Sequence, residues 1–188
     1  MTKALVIGGS AGSFKIVSDL LRTLKGPMPF PTFLCLHRLK QVRTGIAEIL
    51  GDMAPLRIIE PSDKTLIENG IVYLAPANYH MFIEDEHTIT LTIDPPVNHS
   101  RPSIDICFAS AAEAFGKDVT GILLSGANRD GTSGMIALKK RNGYCVIQDP
   151  DDCEISTMTK SVLQYIDPDK ILTSEQIIDF ISLLKNHN

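Results

Sequence analysis

The sequence predicts an α/β fold: a doubly wound, mostly parallel sheet with helices on both faces and an inserted antiparallel hairpin region. Three observations carry this prediction. Short, wholly apolar runs alternate with segments of helical period, the pattern of a parallel sheet covered on both sides. Glycine-rich turns follow several of those runs, where strands hand over to helices. The 188 residues, 44% hydrophobic and 21% charged, suit one sizeable core better than two. Residues 1–188 therefore read as a single domain.

The elements follow in order. Ala4 to Ile7 is the first strand, and the turn Gly8-Gly9-Ser10-Ala11-Gly12 opens a helix through about Leu24. Phe14, Val17, Leu20, Leu21 and Leu24 set its apolar period. Pro27, Pro29 and Pro31 mark a loop before a second strand, Thr32 to Leu36, which delivers His37 at its end. Thr44 to Gly51 reads as a helix and Leu56 to Ile59 as a strand. Ile71 to Leu74, Met81 to Glu84 and Thr88 to Ile93 are short and set between turn residues, so they read as antiparallel strands or hairpins. After Pro95-Pro96, Ser103 is the N-cap of a helix with Ile104, Phe108, Ala111, Ala112 and Phe115 on one face. Val119 to Leu124 is a buried strand, and Gly126 to Gly134 a glycine-rich turn before a helix ending near Asn142-Gly143. Tyr144 to Gln148 is the last central strand. Helices at Ser156 to Leu163 and Ser174 to Leu184 close the fold.

Composition excludes several functions. A formal net charge of −4 lacks the basic footprint of a general nucleic-acid binder. No apolar run approaches the roughly 18–20 residues that span a bilayer, so membrane insertion is not expected. Met1-Thr2-Lys3 leads directly into a strand and leaves no room for a signal peptide. Cys35, Cys107, Cys145 and Cys153 form no C-x-x-C pair, and reduced thiols in a cytoplasmic protein are the simplest reading.

Chemistry concentrates at the ends of strands. Gly8-Gly9-Ser10-Ala11-Gly12 has the G-x-S-x-G form of a nucleophile elbow, which holds a serine hydroxyl out of the sheet. A serine needs a base in hydrogen-bond reach, and the base needs a third group to fix its tautomer. His37 has the right intrinsic pKa for a base, and Asp130 in Gly126-Ala127-Asn128-Arg129-Asp130-Gly131 supplies a carboxylate. All three follow predicted strands at the carboxyl edge, where open α/β sheets bind ligands. The free N–H groups at the helix start after Ser10 suit a developing oxyanion.

Each residue alone has a plainer reading: a tight turn, a hydrogen-bonded structural histidine, a turn aspartate. Gly8 to Ser13 fails the G-x-G-x-x-G dinucleotide fingerprint, because serines stand at the second and third glycine positions. A metal or thiol site from Cys35, His37 and His80 matches no dedicated zinc spacing, and no metal is expected. His80, in Ala75-Pro76-Ala77-Asn78-Tyr79-His80-Met81, reads as a loop histidine, either solvated or in contact with substrate. Arg38, Lys40 and Arg43 read as an exposed basic face, with attraction of an acidic protein substrate as the functional alternative.

Together these segments resemble the catalytic domain of the CheB family of chemotaxis protein-glutamate methylesterases. The resemblance runs from Val6 to about Leu163. It rests on Ile7-Gly8-Gly9-Ser10-Ala11-Gly12, Leu36-His37-Arg38, Val72 to Met81, Arg101-Pro102-Ser103-Ile104-Asp105, Leu124-Ser125-Gly126 with Asp130-Gly131 and Gly134, and Gln148-Asp149. It implies a serine hydrolase with Ser10 as nucleophile, His37 as base and Asp130 as orienting carboxylate. It places the oxyanion donor at the Ala127 backbone N–H and His80 beside the site. Family members hydrolyse glutamate methyl esters on chemoreceptors, releasing methanol, and many also deamidate glutamines. No metal or organic cofactor is implied, and the implied partner is a methylated receptor protein.

The departures matter. The family usually has threonine where Ala11 stands, so the hydroxyl beside the nucleophile is missing. The usual Thr-Gly-Met-Gly turn is Ser125-Gly126-Ala127-Asn128, and the expected Gly-Met-Pro is Thr157-Met158-Thr159. Chemotaxis members usually carry an N-terminal receiver domain; here the first strand begins at Ala4, so an unblocked site, or one governed by a separate regulatory protein, is the expectation. Two alternatives stand beside the esterase: a non-catalytic signalling module of the same fold, and an esterase or deamidase unrelated to chemotaxis.

Overall fold

The computed structural model describes residues 2–37, 45–84 and 87–186. Its main sheet has seven strands, ordered β10-β9-β8-β1-β2-β5-β3, and every described pairing within it is parallel. The strands are β1 (Ala4–Gly9), β2 (Thr32–Leu36), β3 (Arg57–Ile59), β5 (Ile71–Leu74), β8 (Val119–Leu123), β9 (Tyr144–Gln148) and β10 (Lys170–Leu172). A second sheet joins β4 (Thr65–Leu66), β6 (His80–Ile83) and β7 (Thr88–Thr92) in antiparallel order. The helices are α1 (Ser13–Thr23), α2 (Ile46–Asp52), α3 (Ile104–Phe115), α4 (Thr132–Lys140), α5 (Thr157–Leu163) and α6 (Ser174–Asn186).

The continuous apolar character of β1 follows from burial on both faces. Ala4 and Val6 point into one core with Phe33, Ile104, Phe108, Met135 and Met158. Leu5 and Ile7 point into the other, with Ile16, Val17, Leu20, Leu34 and Ile181. Helices α3, α4 and α5 thus cover one face, and α1, α2 and α6 the other. At the first core α3 lies directly on β1: a Cβ at Gly8 would meet Ile104 Cγ2 at 2.4 Å, so only glycine permits that approach. The chain leaves β1 toward β2 on one side and returns to it through β8 on the other, which makes β1 the topological switch point.

Three expectations need correction, and two edge strands are additional to them. Ile71–Leu74 is not a hairpin strand; it is buried throughout and pairs in parallel between β2 and β3. Its apolar run without alternation is the signature of a strand covered on both faces. Phe14 is 46% exposed, because the buried stripe of α1 runs through Ile16, Val17, Leu20 and Leu21 and leaves position 14 at its edge. His80 opens β6 and is fully buried. The two- and three-residue edge strands β4 and β10 carry too little pattern to be read from sequence. The basic residues Arg38, Lys40 and Arg43, and the expected helix start at Thr44, lie outside the described residues.

Candidate active site

Three adjacent strands, β2, β1 and β8, end side by side, and each delivers one residue. Ser10 follows β1 on an elbow fixed from three directions. Its N–H donates to Ser125 O at 2.9 Å, while its own carbonyl accepts from Ser13 N at 3.0 Å and Ser13 Oγ at 2.6 Å. Gly12, the N-cap of α1, has φ +83°, and a Cβ there would lie 2.6 Å from Glu154 Cβ. Conformation and space both demand glycine at that turn. Ser125 Oγ donates to Ala11 O at 2.8 Å and ties the elbow to the turn after β8.

His37 follows β2, its N–H donating to Gly9 O at 3.0 Å. Its Nε2 lies 2.7 Å from Asp130 Oδ2. A carboxylate only accepts, so Nε2 carries the proton and Nδ1 of the neutral ring is left as an acceptor. Asp130 is completely buried. Besides His37 it accepts from Ser103 Oγ at 2.9 Å, Ile104 N at 2.7 Å and Asp105 N at 3.1 Å. Two of those donors are amides of the first turn of α3, which a helix leaves without internal partners. Burial alone would raise the Asp130 pKa. The hydrogen bond from His37 and the Ile104 and Asp105 amides outweigh it and hold the carboxyl below its ordinary value. The carboxylate therefore stays ionised against an imidazole ring.

Asp105 behaves oppositely. Burial pushes it up to about 6, the Gly134 amide opposes the rise, and the charge of Asp130 adds to it. Its Oδ1 accepts from Gly134 N at 2.8 Å and its Oδ2 from Asn98 Nδ2 at 2.9 Å, so it clamps α3 to α4. A carboxyl whose folded pKa is raised holds its proton more tightly when folded. Its stabilising contribution is complete below pH 3.8 and is lost as pH rises through about 6. Asp105→Asn removes the titration. Relative to that variant, the wild type should lose on the order of 3 kcal/mol between about pH 4 and 7. Denaturant melts of both proteins across that range measure the difference, and parallel stability curves would refute the assignment.

The turn after β8 rests on buried polar contacts. Gln148 Oε1 accepts from Ser125 N at 2.9 Å, Gly126 N donates to Ile155 O, and Met158 N donates to Gly126 O, both at 3.0 Å. Ala11 and Ala127 are both exposed at the rim, Ala11 after Ser10 and Ala127 in this turn. Among the described residues neither backbone N–H donates a hydrogen bond within the protein. His80 is not at the rim. Its Nδ1 accepts from Ser103 N at 3.2 Å and its Nε2 donates to Pro95 O at 3.2 Å, so both ring nitrogens are spent on backbone. It supports Ser103, the residue that caps α3 and donates to Asp130.

Cys35 lies in the core, and among the described residues no three His, Cys, Asp or Glu side chains converge on a metal position. No helix among them is long and apolar enough to cross a membrane. Sequence reasoning found Ser103 as a cap but missed its bond to Asp130. It also missed the Gln148 support and the Ser100 hydroxyl, 3.4 Å from His37 Nδ1. These contacts join residues 23 to 63 positions apart, and no local pattern announces them.

Fold and site define a doubly wound α/β protein with its polar residues gathered at the carboxyl edge of the sheet, beside the switch point. A family model described as CheB methylesterase matches residues 5–181. The chain belongs to the CheB methylesterase family. It is similar to the crystal structure of the Thermotoga maritima CheB methylesterase catalytic domain, with a TM-score of 0.90 at 25% identity over 98% of this chain and 99% of that one. A Leptospira interrogans protein, provisionally named protein-glutamate methylesterase/protein-glutamine glutaminase, is 35% identical over 99% of this chain and 96% of its own length. A Clostridium acetobutylicum protein named for the same two activities is 28% identical over 95% of this chain, which spans 52% of that protein.

Proposed function

We propose that this protein is a serine hydrolase that demethylates glutamyl methyl esters on a chemoreceptor-type protein, and that it also deamidates glutamines there. The observation that carries the reading is the 2.7 Å contact between His37 Nε2 and the wholly buried Asp130, one strand away from the Ser10 elbow. Family membership and the names of the relatives support the same substrate class.

In this reading Ser10 Oγ attacks the ester carbonyl and its proton passes to His37 Nδ1. Asp130 stabilises the resulting imidazolium. The backbone N–H of Ala127, with that of Ala11, faces the oxyanion. Collapse breaks the bond to the methoxy group, which leaves with the proton from His37 as methanol. Water then gives a proton to His37 and its oxygen to the acyl group, so a glutamate carboxylate is released and Ser10 regains its proton. With a glutamine side chain the leaving group is ammonia. No step calls on a cofactor. The working compartment is the cytoplasm.

A fluorophosphonate probe tests the nucleophile. Mass spectrometry should find the adduct on Ser10, and none on the Ser10→Ala variant. Receptor binding without any adduct is the behaviour of a non-catalytic module of this fold and would overturn the reading. Turnover of glutamyl esters outside chemoreceptors would redirect the substrate, not the chemistry.

A further inference from the structure

A closed ring of hydrogen bonds surrounds the base. His37 Nε2 meets Asp130 Oδ2 at 2.7 Å. The Asp130 N–H donates to Asn128 Oδ1 at 3.1 Å. Asn128 Nδ2 donates to Ser100 Oγ at 3.2 Å, and Ser100 Oγ lies 3.4 Å from His37 Nδ1. We propose that Ser100 and Asn128 are positioning residues for the reaction: they lock the His37 ring from its Nδ1 side and fix the turn that carries Ala127. The inference rests on the hydrolase reading for its consequence, and on the ring itself for its geometry.

Three separate segments meet here. His37 comes from the end of β2, Ser100 from the loop before α3, and Asn128 and Asp130 from the turn after β8. Ser100 is itself held, because its N–H and C=O both bond to Val97, at 2.8 and 3.1 Å. Asn128 Nδ2 also reaches Asn98 O at 3.4 Å, a second tie to that loop. The planar amide of Asn128 offers an acceptor to one neighbour and donors to another from the same side chain. A glycine at 128 would have none of these atoms.

The chemistry of a hydroxyl suits both states of the base. Against neutral His37, the Ser100 hydroxyl donates to Asn98 O, 3.5 Å away, accepts from Asn128 and leaves the Nδ1 lone pair to the Ser10 proton. Against the imidazolium, the hydroxyl keeps that orientation and accepts from Nδ1–H across the 3.4 Å contact. The ring therefore holds the imidazole through the proton transfer without binding substrate. Asn128 is also the neighbour of Ala127, so its bond to the Asp130 N–H sets the pitch of the amide that faces the oxyanion.

The test uses the full chain, with Ser100→Ala, Ser100→Thr and Asn128→Ala. The two alanine variants should react with a fluorophosphonate about tenfold more slowly, the scale of a small misplacement of a catalytic group. Ser100→Thr, which keeps the hydroxyl, should recover most of the lost rate. Rates equal to wild type, or a loss that threonine does not restore, would overturn the proposal. The second readout is solvent exchange of the His37 Nε2 proton by NMR. It should quicken in both alanine variants and slow again with threonine. If wild type takes no label, the hydrolase reading fails, and this exchange alone decides the positioning role; unmoved exchange would overturn it.

Discussion

Asp130→Ala should lower the melting temperature by on the order of 10 °C and reduce turnover about 10⁴-fold. The side chain is fully buried and accepts from four donors: Ser103 Oγ, the amides of Ile104 and Asp105, and His37. Removing one partner of such a buried ionic network costs about 3–5 kcal/mol, and each kcal/mol moves the midpoint about 2–4 °C in a chain of this size. The loss of activity has a separate origin: without the carboxylate, nothing holds the proton on Nε2 or stabilises the imidazolium. Asp130→Asn keeps the shape and should melt higher than the alanine variant, yet lose as much activity, because its amide presents a donor to Ile104 N or His37.

The pH dependence separates this residue from its neighbour. The folded pKa of Asp130 is depressed, so its stabilising contribution is present above pH 3.8 and is lost as pH falls further. The Asp105 contribution moves the other way and over a higher range. Thermal melts by circular dichroism across acid pH, for wild type and both Asp130 variants, check the assignment. An Asp130→Ala protein as stable as wild type at neutral pH would contradict it.

Much of this was legible in the sequence, for physical reasons that can be named. The apolar runs at Ala4, Thr32 and Val119 declare buried parallel strands, and residues after their carboxyl ends share one edge because the sheet places them there. Ser10, His37 and Asp130 are proposed as site residues on that ground, and the sheet brings His37 against Asp130. Ser103 announced itself as a cap, and its side chain does accept from Ile106 N. Ile71–Leu74 was misread because a four-residue run bounded by turns carries no sign of its partner strand. His80 was misread because burial of a histidine depends on backbone acceptors and donors supplied by Pro95 and Ser103, far along the chain. The Ser100–Asn128 contact was invisible for the same reason: neither residue type is unusual in a loop, and only folding brings them together.

Ser10→Ala should have the largest effect of all. It removes the only atom proposed to form a bond to substrate, while costing the fold little. Ser10 is held through its backbone: its N–H donates to Ser125, and its carbonyl accepts twice from Ser13. The variant should therefore fold and melt like wild type. Loss of a serine nucleophile costs about 10⁶-fold in kcat, what remains coming from oxyanion stabilisation and binding alone.

The most direct measurement is methanol release from a glutamyl-methylated chemoreceptor by wild type and Ser10→Ala at equal concentration. The account predicts steady release by the wild type and about a millionfold less by the variant. Release by Ser10→Ala at the wild-type rate would contradict it.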